Sequence, residues 1–142
     1  MNEPKRIVLD ANILIRSVLG TTARRILSRF AESVSFCCPD VCFFDARRKI
    51  AIIGAERGFD PVDELGLLDQ FTQFIAVVDF SAYSELREAA LARIAVRDPD
   101  DWPIIAAALL LDAPIWTEDQ DFFGCGIATW TTDRVEIYLR DE

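Results

Sequence analysis

The sequence predicts an α/β fold, a three-layer α/β/α sandwich around a mostly parallel sheet. Three observations carry that expectation. Short runs of β-branched and apolar residues alternate with helix-length segments along the whole chain. One late segment, Ile104 to Leu111, is apolar on every side, as a helix packed at the centre of a domain must be. Two of the predicted strands end at acidic residues, which places polar chemistry at the carboxyl edge of a sheet.

The elements follow in order. Arg6 to Asp10 reads as a buried parallel strand that presents Asp10 at its end. Asn12 to Leu19 is a first helix, and after the break at Gly20-Thr21-Thr22 a second runs from about Thr22 to Ala31, with Ile26, Leu27 and Phe30 on one face. Ser33 to Cys38 is a second strand. Pro39 to Glu56 is a single helix bounded by Pro39 and by Gly54 and Gly58, with Val41, Phe44, Arg48 and Ile52 on one row and Cys42, Asp45 and Lys49 on the next. Pro61 to Gln73 is helical, Ile75 to Asp79 a third strand, and Ala82 to Ala95 another helix. Asp98 to Pro103 forms a loop and helix start, since proline costs no hydrogen bond in a first turn. Pro114 to Thr117 and Ile127 to Trp130 are the last strands, and the chain closes in a helix or a strand up to Arg140.

With 142 residues, one domain over residues 1–142 is expected. No apolar run approaches the eighteen or so residues of a membrane span. The start, Met1 to Arg6, leads into an apolar stretch that Asp10 interrupts, which makes no signal-peptide core, so a cytoplasmic protein is expected. The four cysteines, Cys37, Cys38, Cys42 and Cys125, lack zinc-site or disulfide spacing and read as buried reduced thiols. The chain has no histidine. That excludes the Ser-His-Asp triad, the Cys-His dyad, two-histidine ribonuclease chemistry and the helical metalloprotease signature, and it leaves carboxylates to do any catalytic work.

The net charge is −9, but it is unevenly spread. Residues 1–57 hold 10 basic and 6 acidic side chains, a net of +4, whereas residues 58–142 hold 5 basic and 18 acidic, a net of −13. The first part, with Arg24, Arg25, Arg29, Arg47, Arg48 and Lys49, offers cations either to a phosphate backbone or to solvent.

Ligands of such sheets bind beyond the carboxyl ends of the strands, near a topological switch point. That rule selects Asp10, Asp119 and Asp121, and Asp101 joins them at a helix N-terminus. Singly, each has an ordinary explanation as a cap or a turn residue. Together, several carboxylates at one edge repel one another unless a cation neutralises them. Oxygen donors without histidine or thiolate suit Mg2+ or Mn2+, which serves phosphoryl transfer by activating a water and neutralising the leaving oxygen.

The residues also carry a resemblance. The run Ile7-Val8-Leu9-Asp10-Ala11-Asn12-Ile13-Leu14-Ile15 resembles the opening motif of PIN domains. The run Arg97-Asp98-Pro99-Asp100-Asp101-Trp102, and then Pro114-Ile115-Trp116-Thr117-Glu118-Asp119-Gln120-Asp121-Phe122, resemble their closing motifs. The resemblance implies a divalent-metal endoribonuclease that cleaves single-stranded RNA to 5′-phosphate and 3′-hydroxyl ends. In short bacterial members it implies a VapC-type toxin neutralised by a protein antitoxin, and a homodimer. Carried across, it makes Asp10, Asp101, Asp119 and Asp45 the candidate catalytic acids. Asp10, Asp98, Asp101, Asp119 and Asp121 become candidate metal ligands, Asn12 and Thr117 hydrogen-bonding supports, and Arg47 and Arg48 candidate substrate contacts. Asp98 and Asp121 replace or assist the core three, Asp10, Asp101 and Asp119. The family commonly places a glutamate on the mid-chain helix, and the acid in that place is Asp45, one methylene shorter; its alternative role is an ion pair with Lys49 one turn on. The aromatic residues Trp130 and Tyr138 are candidates for an apolar patch that a second copy would cover.

Two other readings compete. A PIN-like domain with the weakened Asp45 position would serve as a protein- or RNA-binding module. A doubly wound phosphatase with an aspartate nucleophile would need a second acid two residues after Asp10, where this chain has Asn12, and a late lysine that it lacks.

Overall fold

A computed structural model describes residues 3–94 and 97–140. Among these, five strands form one sheet with every pairing parallel: β1 (Lys5–Leu9), β2 (Val34–Pro39), β3 (Ile75–Val78), β4 (Ile115–Trp116) and β5 (Thr129–Trp130), in the order β3-β2-β1-β4-β5. The chain builds outward from β1 through β2 to β3, then returns to the other side of β1 for β4 and β5. The reversal lies between β1 and β4, where the crossovers diverge and leave a crevice.

Helices cover both faces: α1 (Ala11–Leu19), α2 (Thr22–Phe30), α3 (Asp40–Arg57), α4 (Val62–Gln70), α5 (Phe80–Tyr83), α6 (Arg87–Ile94), α7 (Trp102–Leu111) and α8 (Val135–Leu139). The pleat sorts the sheet's side chains between two cores. Ile7, Leu9, Phe36, Cys38 and Trp116 join residues of α1, α2, α3, α4 and α8, whereas Val8 and Ile115 join Tyr83, Ala90, Ile94 and the buried Ile104 to Ala108 of α7. Because β1 is apolar on both sides and central, Asp10 at its end is held at a fixed place in a rigid layer.

The expected fold is therefore the observed one, and the differences lie at element ends and in one helix that is split in two. The first strand stops at Leu9 because Asp10 caps α1, its carboxylate accepting from the Ile13 N–H at 3.0 Å. The helix expected through Gln73 tightens after Gln70 into a 3₁₀ turn, Phe71–Gln73, which buries Phe71. The segment expected to start at Ala82 becomes helical at Phe80, because Asp79 caps it through the Ser81 N–H. It breaks at a 3₁₀ turn, Ser84–Leu86, before α6, and the expected end at Ala95 lies outside the described residues. Only Thr129 and Trp130 of the last predicted strand pair, and the C-terminal element is the helix α8.

Helix α3 ends at Gly58, whose φ of +78° is a left-handed cap, with its N–H bonded back to the Gly54 carbonyl. Gly54 itself is required by a close approach: a Cβ there would stand 3.0 Å from the Phe59 carbonyl oxygen and 3.2 Å from the Pro61 Cβ. All four cysteines are free and buried. No helix among the described residues is long and apolar enough to cross a membrane.

Candidate metal centre and cleft

At the switch point a cleft of about 560 Å³ opens, with Asp10, Asp45, Asp98, Asp100, Asp101 and Asp119 among its walls. Asp10 is the most enclosed of these acids, at 5% exposure. Burial raises its pKa above the ordinary carboxylate value, opposed by hydrogen bonds from the Thr117 hydroxyl and the Ile13 and Asn12 N–H groups, while the charge of Asp119 adds to the rise. Thr117, fully buried at the end of β4, donates to one Asp10 oxygen and accepts from the Asp119 N–H at 2.9 Å. One hydroxyl thereby locks the acid after β1 to the loop after β4. Asn12 lines the cleft beside them.

Asp98 and Asp119 each carry the ordinary duty their type suggests. Asp98 caps a 3₁₀ turn through the Asp100 N–H at 3.1 Å, and Asp119 caps the next through the Asp121 N–H at 2.9 Å. Asp101 does not. It stands at the N-cap of α7, yet its carboxylate makes no capping bond, and its Oδ2 is buried without any hydrogen-bond partner. A buried polar atom of this kind costs free energy, of order 1–3 kcal/mol, unless something satisfies it. Burial, and after it the charges of Asp98, Asp119, Asp10 and Asp121, push the Asp101 pKa up to about 7. Carboxylate oxygens of Asp98, Asp101 and Asp121 lie within 4.8 Å of one another.

The donor set fits a hard divalent cation: oxygens only, several like charges converging, and one buried oxygen with nothing else to bind. The Cys42 thiol on the cleft wall does not compete, since burial first, then Cys38 and the surrounding acids, hold it well above its ordinary pKa and therefore protonated.

The structure brings together Asp10, Asn12, Asp45, Arg48, Asp98, Asp101 and Asp119 on the cleft, with Asp121 against Asp98 and Asp101. Arg47 is not part of it. That side chain points off the α3 face to pair with Asp69 of α4, on the exposed flank. Asp45 faces the cleft and pairs with both Arg48 and Lys49, the latter at 3.1 Å, so the expected ion pair one turn on is present. Lys49 and Asp100 also line the cleft. Lys49 was visible in the sequence as the neighbour of Asp45, but only the helix phase shows that it faces the acids. Trp130 and Tyr138, considered for an apolar patch, are half-buried and stack on each other, with the Lys5 ammonium over the Tyr138 ring.

A family model described as "PIN domain" matches residues 8–140. The chain belongs to the PIN domain family. Solved structures with the same fold include VapBC2 from Rickettsia felis bound to a promoter DNA fragment, at TM-score 0.66 and 16% identity over 89% of this chain and 98% of that one. A toxin-antitoxin complex from Klebsiella pneumoniae matches at TM-score 0.65 and 18% identity, over 89% and 97% of the two chains. FitAcB from Neisseria gonorrhoeae matches at TM-score 0.62 and 14% identity, over 89% and 97%. No match emerges among curated proteins. In this PIN domain the motif residues after β1, before α7 and after β4 are those that converge on the cleft.

Proposed function

We propose that this PIN domain is a Mg2+- or Mn2+-dependent endoribonuclease that cleaves single-stranded RNA and acts as the toxin of a toxin-antitoxin pair. The observation that carries the nuclease reading is the unpartnered, buried Asp101 oxygen at the meeting point of Asp10, Asp98, Asp119 and Asp121. Asp98, Asp101 and Asp121 would hold the ion, with Asp10 and Asp119 beside them. Once bound, the ion supplies an activated water and charge neutralisation at a phosphodiester. The chain's own part is positional. Thr117 keeps the Asp10 carboxylate oriented, Asp101 at the start of α7 leaves its carboxylate without a capping bond, and Asp98 and Asp119 brace the two turns beside the cleft.

The toxin role is supported by the similar folds, one of which was solved as a toxin-antitoxin complex, and the proposed partner is accordingly a protein antitoxin. A homodimer belongs to the same reading, supported by exposed apolar side chains on adjoining elements: Val41 and Phe44 one turn apart on α3, and Phe80, whose N–H is held by Asp40 of α3. Sedimentation of the purified protein as a monomer would remove that part.

The test is cleavage of a panel of single-stranded RNAs with Mn2+ or Mg2+. Wild-type protein should cut, EDTA should stop it, and Asp10→Asn and Asp101→Asn should each lower the rate by about 100-fold or more. Expression of wild type, but not of Asp101→Asn, should arrest bacterial growth. A folded wild-type protein that cuts no RNA with either metal would sink the enzymatic reading, and equal growth would sink the toxin role.

A further inference from the structure

Six acids line the cleft, and a phosphodiester chain entering it meets strong repulsion unless cations face it. Among the described lining residues the cations are Arg48 and Lys49, one residue apart on α3. Both are tied to a single carboxylate: the Arg48 guanidinium to Asp45 Oδ1, and the Lys49 ammonium to Asp45 Oδ2 at 3.1 Å. Their side chains are 63% and 44% exposed, so they are held in place without being withdrawn from solvent.

Each oxygen of Asp45 thus carries one ion-pair contact, and Asp45 is not among the carboxylates that cluster as Asp98, Asp101 and Asp121 do. Hydrogen bonds and charge from Lys49 and Arg48 overcome the effect of burial and keep its pKa below the ordinary value, so the clamp is ionised at neutral pH.

We infer that Asp45 is a positioning residue rather than a metal ligand: it holds Arg48 and Lys49 as a two-cation lip on the cleft, where they bind backbone phosphates of single-stranded RNA flanking the scissile bond. This rests on the ribonuclease reading above. The triad carries a net charge of +1, which makes this edge the cationic side of an otherwise acidic cleft. It is built on a rigid helix, with Ala46 and Ile50 buried beneath it. Arginine and lysine contribute differently: the guanidinium fork sets direction and the ammonium acts as a compact charge.

The experiment measures two bindings on the full chain: Mn2+ by calorimetry, and a 2′-O-methyl RNA oligonucleotide, which resists cleavage, across a range of NaCl concentrations. The double variant Arg48→Gln/Lys49→Gln should weaken RNA binding and flatten the dependence of log K on log salt by about 1.4, which is two phosphate contacts at roughly 0.7 each for a single strand. Its Mn2+ affinity should not change. With a cleavable RNA added as a third readout, Asp45→Asn should leave Mn2+ affinity intact while lowering kcat by about 10- to 100-fold, the cost of a misplaced contact, and Asp45→Glu should keep kcat near wild type. A tenfold loss of Mn2+ affinity in Asp45→Asn would overturn the inference in favour of a ligand role. Wild-type RNA binding with an unaltered salt slope in the double variant would overturn it while leaving the ribonuclease reading standing. No RNA binding by wild type would overturn both.

Discussion

Asp101 joins a buried oxygen with no hydrogen-bond partner to a pKa of about 7, raised by its burial and by four neighbouring acids. The combination has a measurable sign. In the unfolded chain this carboxyl titrates near its ordinary 3.8, and in the folded protein near 7. Between those values the folded state binds more protons than the unfolded state, so stability falls as pH rises through the window and levels off above it. Asp10, also raised, acts in the same direction. Asp45 and Asp79 are lowered, so their contributions are lost only as pH falls below about 3.8, outside this range. Thermal unfolding in EDTA should therefore show a midpoint that declines from pH 4.5 to 7.5 in wild type and declines less in Asp101→Asn. A midpoint rising over the same range in wild type would show that Asp101 is not held protonated in the folded protein.

At the scale of elements, α3 shows how a helix with little amphipathic character is nonetheless fixed. Cys42, Phe43, Ala46 and Ile50 are buried, and Val41, Phe44 and Ile52 are exposed. Those buried residues fix its phase, and hence the direction of Asp45, Arg48 and Lys49, and its last turn is held close to the Phe59-Pro61 return at Gly54. Helix propensity alone favours Gly54→Ala by up to about 1 kcal/mol. The methyl group would meet backbone oxygen and a proline ring at 3.0 and 3.2 Å, and overpacking of that kind costs about 1–3 kcal/mol. Urea unfolding should find Gly54→Ala less stable by about 1–2 kcal/mol, with RNA cleavage reduced as α3 shifts. A more stable Gly54→Ala would show that the return loop is not a tight contact.

Across the whole molecule, the sheet and its layers were legible because each strand is a short apolar run whose two faces are both buried, and periodicity reports burial. The acids after β1, before α7 and after β4 were legible for a related reason: an acid directly after a buried strand or before a buried helix can only emerge at an edge. Two things were not legible. The helical rows set Arg48 and Lys49 beside Asp45, but which side of α3 meets the acids depends on contacts distant in sequence, so sequence could not say that these two face the cleft whereas Arg47 turns to Asp69. Nor could it separate aspartates that cap turns from the one that does not, because Asp98, Asp101 and Asp119 sit in the same local pattern and only the hydrogen bonds distinguish them. The charge asymmetry of +4 and −13 likewise gains its meaning only in the fold, which sets the cations of α3 across one cleft from the acids of the later segments.

In the function proposed above, the convergent carboxylates form a divalent-metal site with Asp101 at its centre. Calorimetric titration of metal-free protein with Mn2+ at pH 7.5 tests it most directly. One saturable site in wild type is predicted, weakened in Asp101→Asn by more than the roughly 10- to 100-fold that losing an outer-shell partner costs. Absence of saturable binding in folded wild type, or equal affinity in Asp101→Asn, would contradict it.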